Sequence, residues 1–357
     1  IENVRGNSAA NTITGSTTGN RIDGLGGNDS ISASDGTDAI IYYAGDTVDG
    51  GTGTDTLVID TGDANENTIE LDLTTLADTR IVNIEEIDMT ASPASVFKLN
   101  EVDLKALSST TDTLIVHGKA NDVVVLAGSW VSAGTQPVTV AGVSTAYNKF
   151  TLSGATILIN PLVKFAVEIT GSASADNLTG STGEDTLRGG AGNDTIDGLA
   201  GRDALYGDSN DDTIKYDNAD ATVDGGLGID TLQVVVSGKI IDLQMPDRRP
   251  VLSSLEKIDL NTTGANYLVV DAQTIAALST ETSVAGNLTV IANTSDFIFV
   301  EGTRTGTGPY TITTAAVSKT LTISGSVSWG NYIRGTSGDD SALNGVGSAT
   351  PDLIHGD

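Results

Sequence analysis

The chain has no cysteine, only two histidines and two tryptophans, and aromatic residues make up just 4% of its 357 positions. Without cysteine there is no disulfide scaffold, no thiol nucleophile and no thiolate metal site. With so few aromatics, any core must be built from Val, Ile and Leu. Basic residues are scarce as well: 18 Lys and Arg stand against 47 Asp and Glu, for a formal charge of -29. That balance argues against a nucleic-acid binder, which needs cations to meet phosphates, and against docking on anionic membranes. No run of 18 apolar residues occurs, so no transmembrane segment is expected. No signal peptide is recognisable and the first residue is Ile1 rather than Met, which fits a segment of something longer. An apolar fraction of 38% is still enough for real cores, so wholesale disorder is not expected. What the carboxylate excess suits is a hard cation, Ca²⁺ above all.

Self-comparison reveals two periods, one nested in the other. The short period is nine residues. From Gly171 the chain reads GSASADNLT, GSTGEDTLR, GGAGNDTID, GLAGRDALY, GDSNDDTIK, YDNADATVD and GGLGIDTLQ without a break in register. Position eight is always aliphatic, from Leu178 through Leu232, and position six is Asp176, Asp185, Asp194, Asp203, Asp212 and Asp230, with Ala221 as the exception and Asp220 one place early. The same pattern starts at Gly6, with Asn11, Asn20, Asp29, Asp38 and Asp55 at position six; an eight-residue unit carrying Asp46 interrupts it. A third array opens at Gly335, with Asp340 at position six, and soon degenerates. Gly6, Gly171 and Gly335 lie 165 and 164 residues apart, which is the long period. The stretches between arrays also match: Asn83-Ile84-Glu85-Glu86-Ile87-Asp88 corresponds to Ser254-Leu255-Glu256-Lys257-Ile258-Asp259. The expected organisation is array 6–58, β-rich domain 59–170, array 171–233, β-rich domain 234–334, and the start of a third array at 335–357.

Nine residues divide into six of turn and three of strand. Glycines at positions one, two and four permit the tight or left-handed backbone of a sharp turn. The strand triplet points its single aliphatic inward. Two units make one flattened coil, so turns n and n+2 stack along one edge. Stacked position-six carboxylates repel unless a cation lies between them, and carboxylates with turn carbonyls suit Ca²⁺. A coil of two nonapeptides has little core of its own, so folding should depend on that cation.

These units resemble the GGxGxDxUx nonapeptide of RTX proteins; GGAGNDTID from Gly189 and GGTGTDTLV from Gly50 match every fixed position. The resemblance implies a parallel β-roll, Ca²⁺ sites in the turns, and export through a type I secretion channel. It implies as metal ligands Asp29, Asp38, Asp55, Asp176, Asp185, Asp194, Asp203, Asp212, Asp230 and Asp340, with Asn11, Asn20, Asp46 and Asp220 weaker. Stacking grades them. Asp176/Asp194, Asp194/Asp212 and Asp212/Asp230 pair on one edge and Asp185/Asp203 on the other, where Asp203 then meets Ala221 and a weak or rearranged site is expected. Asn11/Asp29 and Asn20/Asp38 each lack one charge, and the eight-residue unit leaves Asp46 and Asp55 in doubtful register.

The intervening regions read mainly as β, with strands expected at TLVID, TIELDL, TLIVHG, DVVVLAG, KFTLSG and ATILIN. One short helix is expected in each, capped by Asn100 with Leu104 and Leu107 inward, and by Asp271 with Ile275 and Leu278 inward. The pattern suits either a sandwich or an extension of the roll. The stretch from Asn83 to Leu126 is similar to modules that separate RTX arrays in large bacterial adhesins and surface-layer-like proteins. The fold class expected is therefore all-β: calcium-binding parallel β-rolls alternating with β-rich domains that carry one helix each.

No GxSxG, HExxH or P-loop occurs, and the Gly-rich turns carry Asp where a phosphate site would carry Lys. Glu85, Glu86 and Glu256 are the best candidates for a glycosidase pair, but a solvated strand edge or a bridge to the array is the favoured reading. His117 is read as a partly exposed strand-end residue, Trp329 as a core aromatic matching Phe165, and Trp130 as open for sugar stacking. The sequence therefore points to a non-enzymatic, calcium-rigidified segment of a secreted Gram-negative surface protein: an adhesin stalk, a surface layer or a matrix filament. Partners would be further copies, head to tail, or a cell-surface or glycan receptor. The competing readings are the RTX tail of a secreted hydrolase or epimerase, and a glycan- or ice-binding module.

Overall fold

The computed structural model describes residues 2–59, 69–243, 250–261, 264–278, 287–300, 303–305, 310–314, 317–325, 328–334 and 352–355. The chain forms two compact units, Ile1–Glu168 and Ile169–Asp357.

In the first unit the nonapeptides build two walls of short parallel strands. One wall runs Thr12–Thr14, Ser30–Ser32, Thr47–Asp49 and Ile81–Val82, in the register Ile13↔Ile31, Ile31↔Val48 and Val48↔Ile81. The other runs Glu2–Arg5, Asn20–Asp23, Ala39–Tyr42 and Thr56–Ile59, with Ile22↔Ile40 and Ile40↔Leu57 in register. A partner lies eighteen residues away wherever both units are nine long, so one coil is two nonapeptides. Because the strand triplet alternates, the position-eight side chain alone points inward; Ile22, Ile40, Val48 and Leu57 are fully buried. The eight-residue unit shortens a turn and spares the strands, since Thr47–Asp49 still pairs with Ser30–Ser32.

The β-rich region that follows the array is an extension of the same roll, which settles the choice between roll and sandwich. Thr56–Ile59 pairs in parallel with Glu86–Asp88, then Thr113–His117, then Ala155–Ile159. The facing wall stacks Ile69–Asp72, Ser95–Leu99, Val123–Ala127 and Lys164–Thr170. The coils are longer here, which leaves room for larger side chains such as Phe97 and Met89, both fully buried. One element escaped sequence reading: Val131–Val140 forms a long antiparallel hairpin with Val143–Leu152, laid on Ala155–Ile159. Val131–Val140 is exposed almost throughout, so it carries no inward period to detect.

The second unit repeats the plan. One wall stacks Leu178, Ile196, Ile214, Leu232, Ile258, Val290 and Ile323 in register. The facing array wall stacks Leu187, Leu205, Val223 and Leu252. Further strands place Ile241, Leu268, Ile298 and Trp329 in register, and Trp329 sits opposite Ile298 as Phe165 sits opposite Val124.

Among the described residues each unit carries one short α-helix, α1 (Glu101–Leu107) and α2 (Ala272–Leu278). Asn100 Oδ1 accepts from the N–H groups of Val102 and Asp103 while Asp103 returns a bond to the Asn100 N–H, a complete capping box. Asp271 and Thr274 make the same reciprocal exchange at α2. Seven residues are too few to hold a helix by propensity; burial of Leu104 and Leu107, and of Ile275 and Leu278, holds them against the roll.

Candidate metal centres

The turns bring the position-six residues into columns along each edge, and a backbone donor stitches each step but the one from Asp203 to the turn of Ala221. The N–H of Asp176 donates to Asp194 Oδ1 at 2.8 Å, that of Asp194 to Asp212 Oδ1 at 2.7 Å, and that of Asp212 to Asp230 Oδ1 at 2.8 Å. On the other edge the Asp185 N–H donates to Asp203 Oδ1 at 2.8 Å. In the first unit the columns are Asn11, Asp29, Asp46 and Asn20, Asp38, Asp55. Asp46 and Asp55 thus keep their places despite the eight-residue unit, seventeen residues after Asp29 and Asp38. One oxygen of each carboxylate therefore serves the backbone.

The second oxygen divides the turns into two classes. Oδ2 of Asp29, Asp38, Asp55, Asp194, Asp203, Asp212 and Asp230 is buried with no hydrogen-bond partner. These seven side chains are at most 2% exposed. In every one of these turns the residue at position two is left-handed: Leu25, Ser34, Gly51, Gly190, Leu199, Asp208 and Gly226 all have positive φ. Its N–H does not reach the carboxylate. In the opening turns position two is Asn7, Ser16, Ser172 or Ser181, and its N–H donates to Asn11, Asn20, Asp176 or Asp185. Those position-six groups are satisfied within their own turn; the Ser172 donors hold the Asp176 carboxyl below the usual range. A leucine at φ 64 (Leu25) or φ 66 (Leu199) is strained. Such strain persists where the surrounding structure over-determines it, characteristically at a ligand site.

A buried carboxylate oxygen left without a donor is costly. Burial, added to by the next carboxylate along the column, pushes Asp55, Asp212 and Asp230 up to about 7. Asp203 rises to about 6 and Asp220 to about 8 for the same reason. Asp220 takes the place left by Ala221: its side chain faces that of Asp203, and its Oδ1 has no donor. The position-one glycines complete a cradle. A Cβ on Gly207 would lie 2.2 Å from the Gly225 carbonyl oxygen and 2.4 Å from Asp212 Oδ2; on Gly189 it would lie 2.6 Å from the Gly207 carbonyl and 2.4 Å from Asp194 Oδ2. Carboxyl and carbonyl oxygens thus converge where glycine leaves room.

The donor set fits Ca²⁺: all oxygen, anionic, desolvated and short of hydrogen-bond donors. Among the described residues no three His, Cys, Asp or Glu side chains gather at one point. A cation held between two turns would draw on paired carboxylates and on turn carbonyls, as the stacked coils present them. Asp46 differs, because its Oδ1 accepts from Asp29 N–H and its Oδ2 from Tyr43 N–H. Asp340 lies outside the described residues. Asp194 stands between two carboxylates, whereas Asp38 stands between the Asn20 amide and Asp55. Asp194→Ala is accordingly expected to weaken Ca²⁺ binding about tenfold more than Asp38→Ala, a difference of ~1.4 kcal/mol measurable by calorimetric titration; equal losses would mean the columns do not govern affinity.

The remaining candidates resolve differently. Glu85 Oε2 accepts from the Asp55 N–H and Glu256 Oε2 from the Asp230 N–H, both at 3.0 Å, so the bridge to the array is what these glutamates form. His117 is the last residue of its strand and partly exposed, as expected. Its ring bridges Glu86 Oε2 at 3.1 Å and the Tyr147 hydroxyl at 2.8 Å. Trp130 is buried at 7% exposure with Nε1 donating to the Ala127 carbonyl, so it is not open for sugar stacking. Sequence reading missed position two; the signal available was its switch from Asn or Ser in the opening turns to Gly or Leu in most later ones. Among the described residues no helix is long and apolar enough to cross a membrane.

Residues 5–40, 170–205 and 179–214 match the family of the RTX calcium-binding nonapeptide repeat (4 copies). No curated protein matches the chain.

Proposed function

For this RTX-repeat chain, whose nonapeptides bind Ca²⁺ in multiple copies, we propose a structural role: a calcium-folded repeat segment of a secreted bacterial surface protein, such as an adhesin stalk, a surface layer or a matrix filament. The carrying observation is the pair of columns of buried carboxylates whose second oxygen has no donor, built twice along the chain. Such a fold is unfavourable where Ca²⁺ is scarce and favourable where it is abundant, which suits a protein that crosses a membrane unfolded and sets outside. The reading is non-enzymatic. The matched carboxylates Glu85 and Glu256, the best acid–base candidates in the sequence, are engaged with array backbone.

The Ca²⁺ concentration at half-folding tests it. Extracellular modules bind at ~10⁻⁴–10⁻³ M and intracellular sensors at ~10⁻⁷–10⁻⁵ M. A circular-dichroism titration of the full chain is expected to show its midpoint in the higher range. A midpoint near 10⁻⁶ M would place folding within reach of a sensor and sink the extracellular reading.

A further inference from the structure

The columns do not stop where the nonapeptides stop. Gly50 N–H donates to the Val82 carbonyl and Gly225 N–H to the Ser253 carbonyl, as Gly171 N–H donates to Arg188 inside the array. Val82 and Ser253 are thus in the place of the position-nine residue that precedes a further unit, and Asn83 and Ser254 are in the position-one place of that unit. Both of these are left-handed, at φ 57 and φ 52. Their carbonyls come where the next glycine carbonyl would: a Cβ on Gly50 would lie 1.9 Å from Asn83 O, and on Gly225 1.9 Å from Ser254 O. Two residues on, Glu85 and Glu256 accept the N–H of the last array aspartate, the position-six bond. Ile87 and Ile258 then pair with Leu57 and Leu232, the position-eight residues. Asn83–Asp88 and Ser254–Asp259 are therefore contracted repeats, with a three-residue turn in place of six. The longer glutamate arm makes up the lost reach. Ile84 and Leu255, fully buried, donate their N–H groups to the last carbonyls of α1 and α2, at Leu107 and Leu278.

We infer that each contracted repeat supplies the last cation site of its array. The donors in the first unit are Asp55, the Asn83 carbonyl and Glu85; in the second they are Asp230, the Ser254 carbonyl and Glu256. The independent sign of a ligand is Asp55 Oδ2 and Asp230 Oδ2, each on a side chain with 0% exposure and without a hydrogen-bond partner. On the Gly50 side, Asp55 Oδ2 lies 2.9 Å from the same point that is 1.9 Å from the Asn83 carbonyl. The cation class is that of the array, a divalent ion that takes oxygen ligands. This inference rests on the array reading and extends it to residues outside the nonapeptide pattern.

Glu85→Gln and Glu256→Gln separate a ligand from a mere stitch. Glutamine still accepts the aspartate N–H through its amide oxygen and lacks the charge a cation needs. Equilibrium dialysis of the full chain against Ca²⁺ is expected to count one ion fewer in each variant and two fewer in the double variant, with the β signal retained. If a glutamine variant loses its β signal, Glu85→Asp and Glu256→Asp serve instead; the shorter arm is expected to weaken the last site at least tenfold. An unchanged count and unchanged affinity in the variants, beside a wild type that binds many ions, would overturn this inference alone. A wild type that binds none would overturn the array reading with it.

Discussion

Removing Ca²⁺ from the full chain with EGTA at pH 8 is expected to lower its melting temperature by about 15 °C or more and to abolish much of its β signal. A single ion present at a hundredfold excess over its dissociation constant stabilises the folded state by ~2.7 kcal/mol. Three such ions contribute roughly 8 kcal/mol, which is comparable with the whole stability of an ordinary domain, about 5–15 kcal/mol. The structure makes the dependence steep. Among the described residues seven position-six carboxylates are buried with one oxygen lacking a donor, and in each column they stand next to another carboxylate or an amide. Without a cation those oxygens have lost water and gained nothing. Mg²⁺ is expected to substitute poorly, because it holds its own water and demands a stricter geometry than flexible turn carbonyls supply. Differential scanning calorimetry with EGTA, with Ca²⁺ and with Mg²⁺ reads all three. A melting temperature that moves by only a degree or two on chelation would mean the orphan oxygens are tolerated without a cation.

Acid is expected to stand in for the metal. In the unfolded chain an aspartate titrates near 3.8, whereas Asp55, Asp212 and Asp230 in the metal-free fold titrate at about 7, raised by burial and by neighbouring carboxylates. Between these values the metal-free fold binds more protons than the unfolded chain, so its stability falls as pH rises. That protonation-linked stability is fully present below pH 3.8 and is lost as pH passes through about 7. The chelated chain should therefore gain β signal when pH drops from 8 to 5 and lose it on return. Calcium binding runs the other way, since the ion must displace those protons. Its apparent affinity is expected to fall about tenfold per pH unit for each proton displaced. Circular dichroism in EGTA across that pH range, paired with Ca²⁺ titrations at pH 6 and pH 8, checks both signs. A chelated chain that is equally unfolded at pH 5 and pH 8 would show that protons do not relieve the columns.

Much of this was legible in the residues. The nonapeptide period alone placed Leu187, Leu205 and Val223 on one wall and Ile196, Ile214 and Leu232 on the other, because a triplet strand leaves one inward position. The two helix caps were equally local, since Asn100 and Asp271 act on donors within three residues. The hairpin Val131–Leu152 was less accessible because its outer strand buries almost nothing. His117 is the partly exposed strand-end residue expected, but its partners were not legible, because Tyr147 and Glu86 reach it from thirty and thirty-one residues away; Trp130, left undecided by the sequence, is closed over by the fold.

The residues by themselves determined the coil, its core and the oxygen-rich turns, because period, glycine placement and carboxylate spacing act over nine positions. Only the tertiary structure decided which position-six carboxylates keep a buried oxygen without a donor. That choice depends on the backbone at position two, which withdraws the N–H in seven turns and delivers it in the four opening ones. It also depends on a partner seventeen to thirty residues further on. At Glu85 and Glu256 that partner no longer looks like a repeat at all, yet the stacking of one coil on the next puts its carboxylate in the same place.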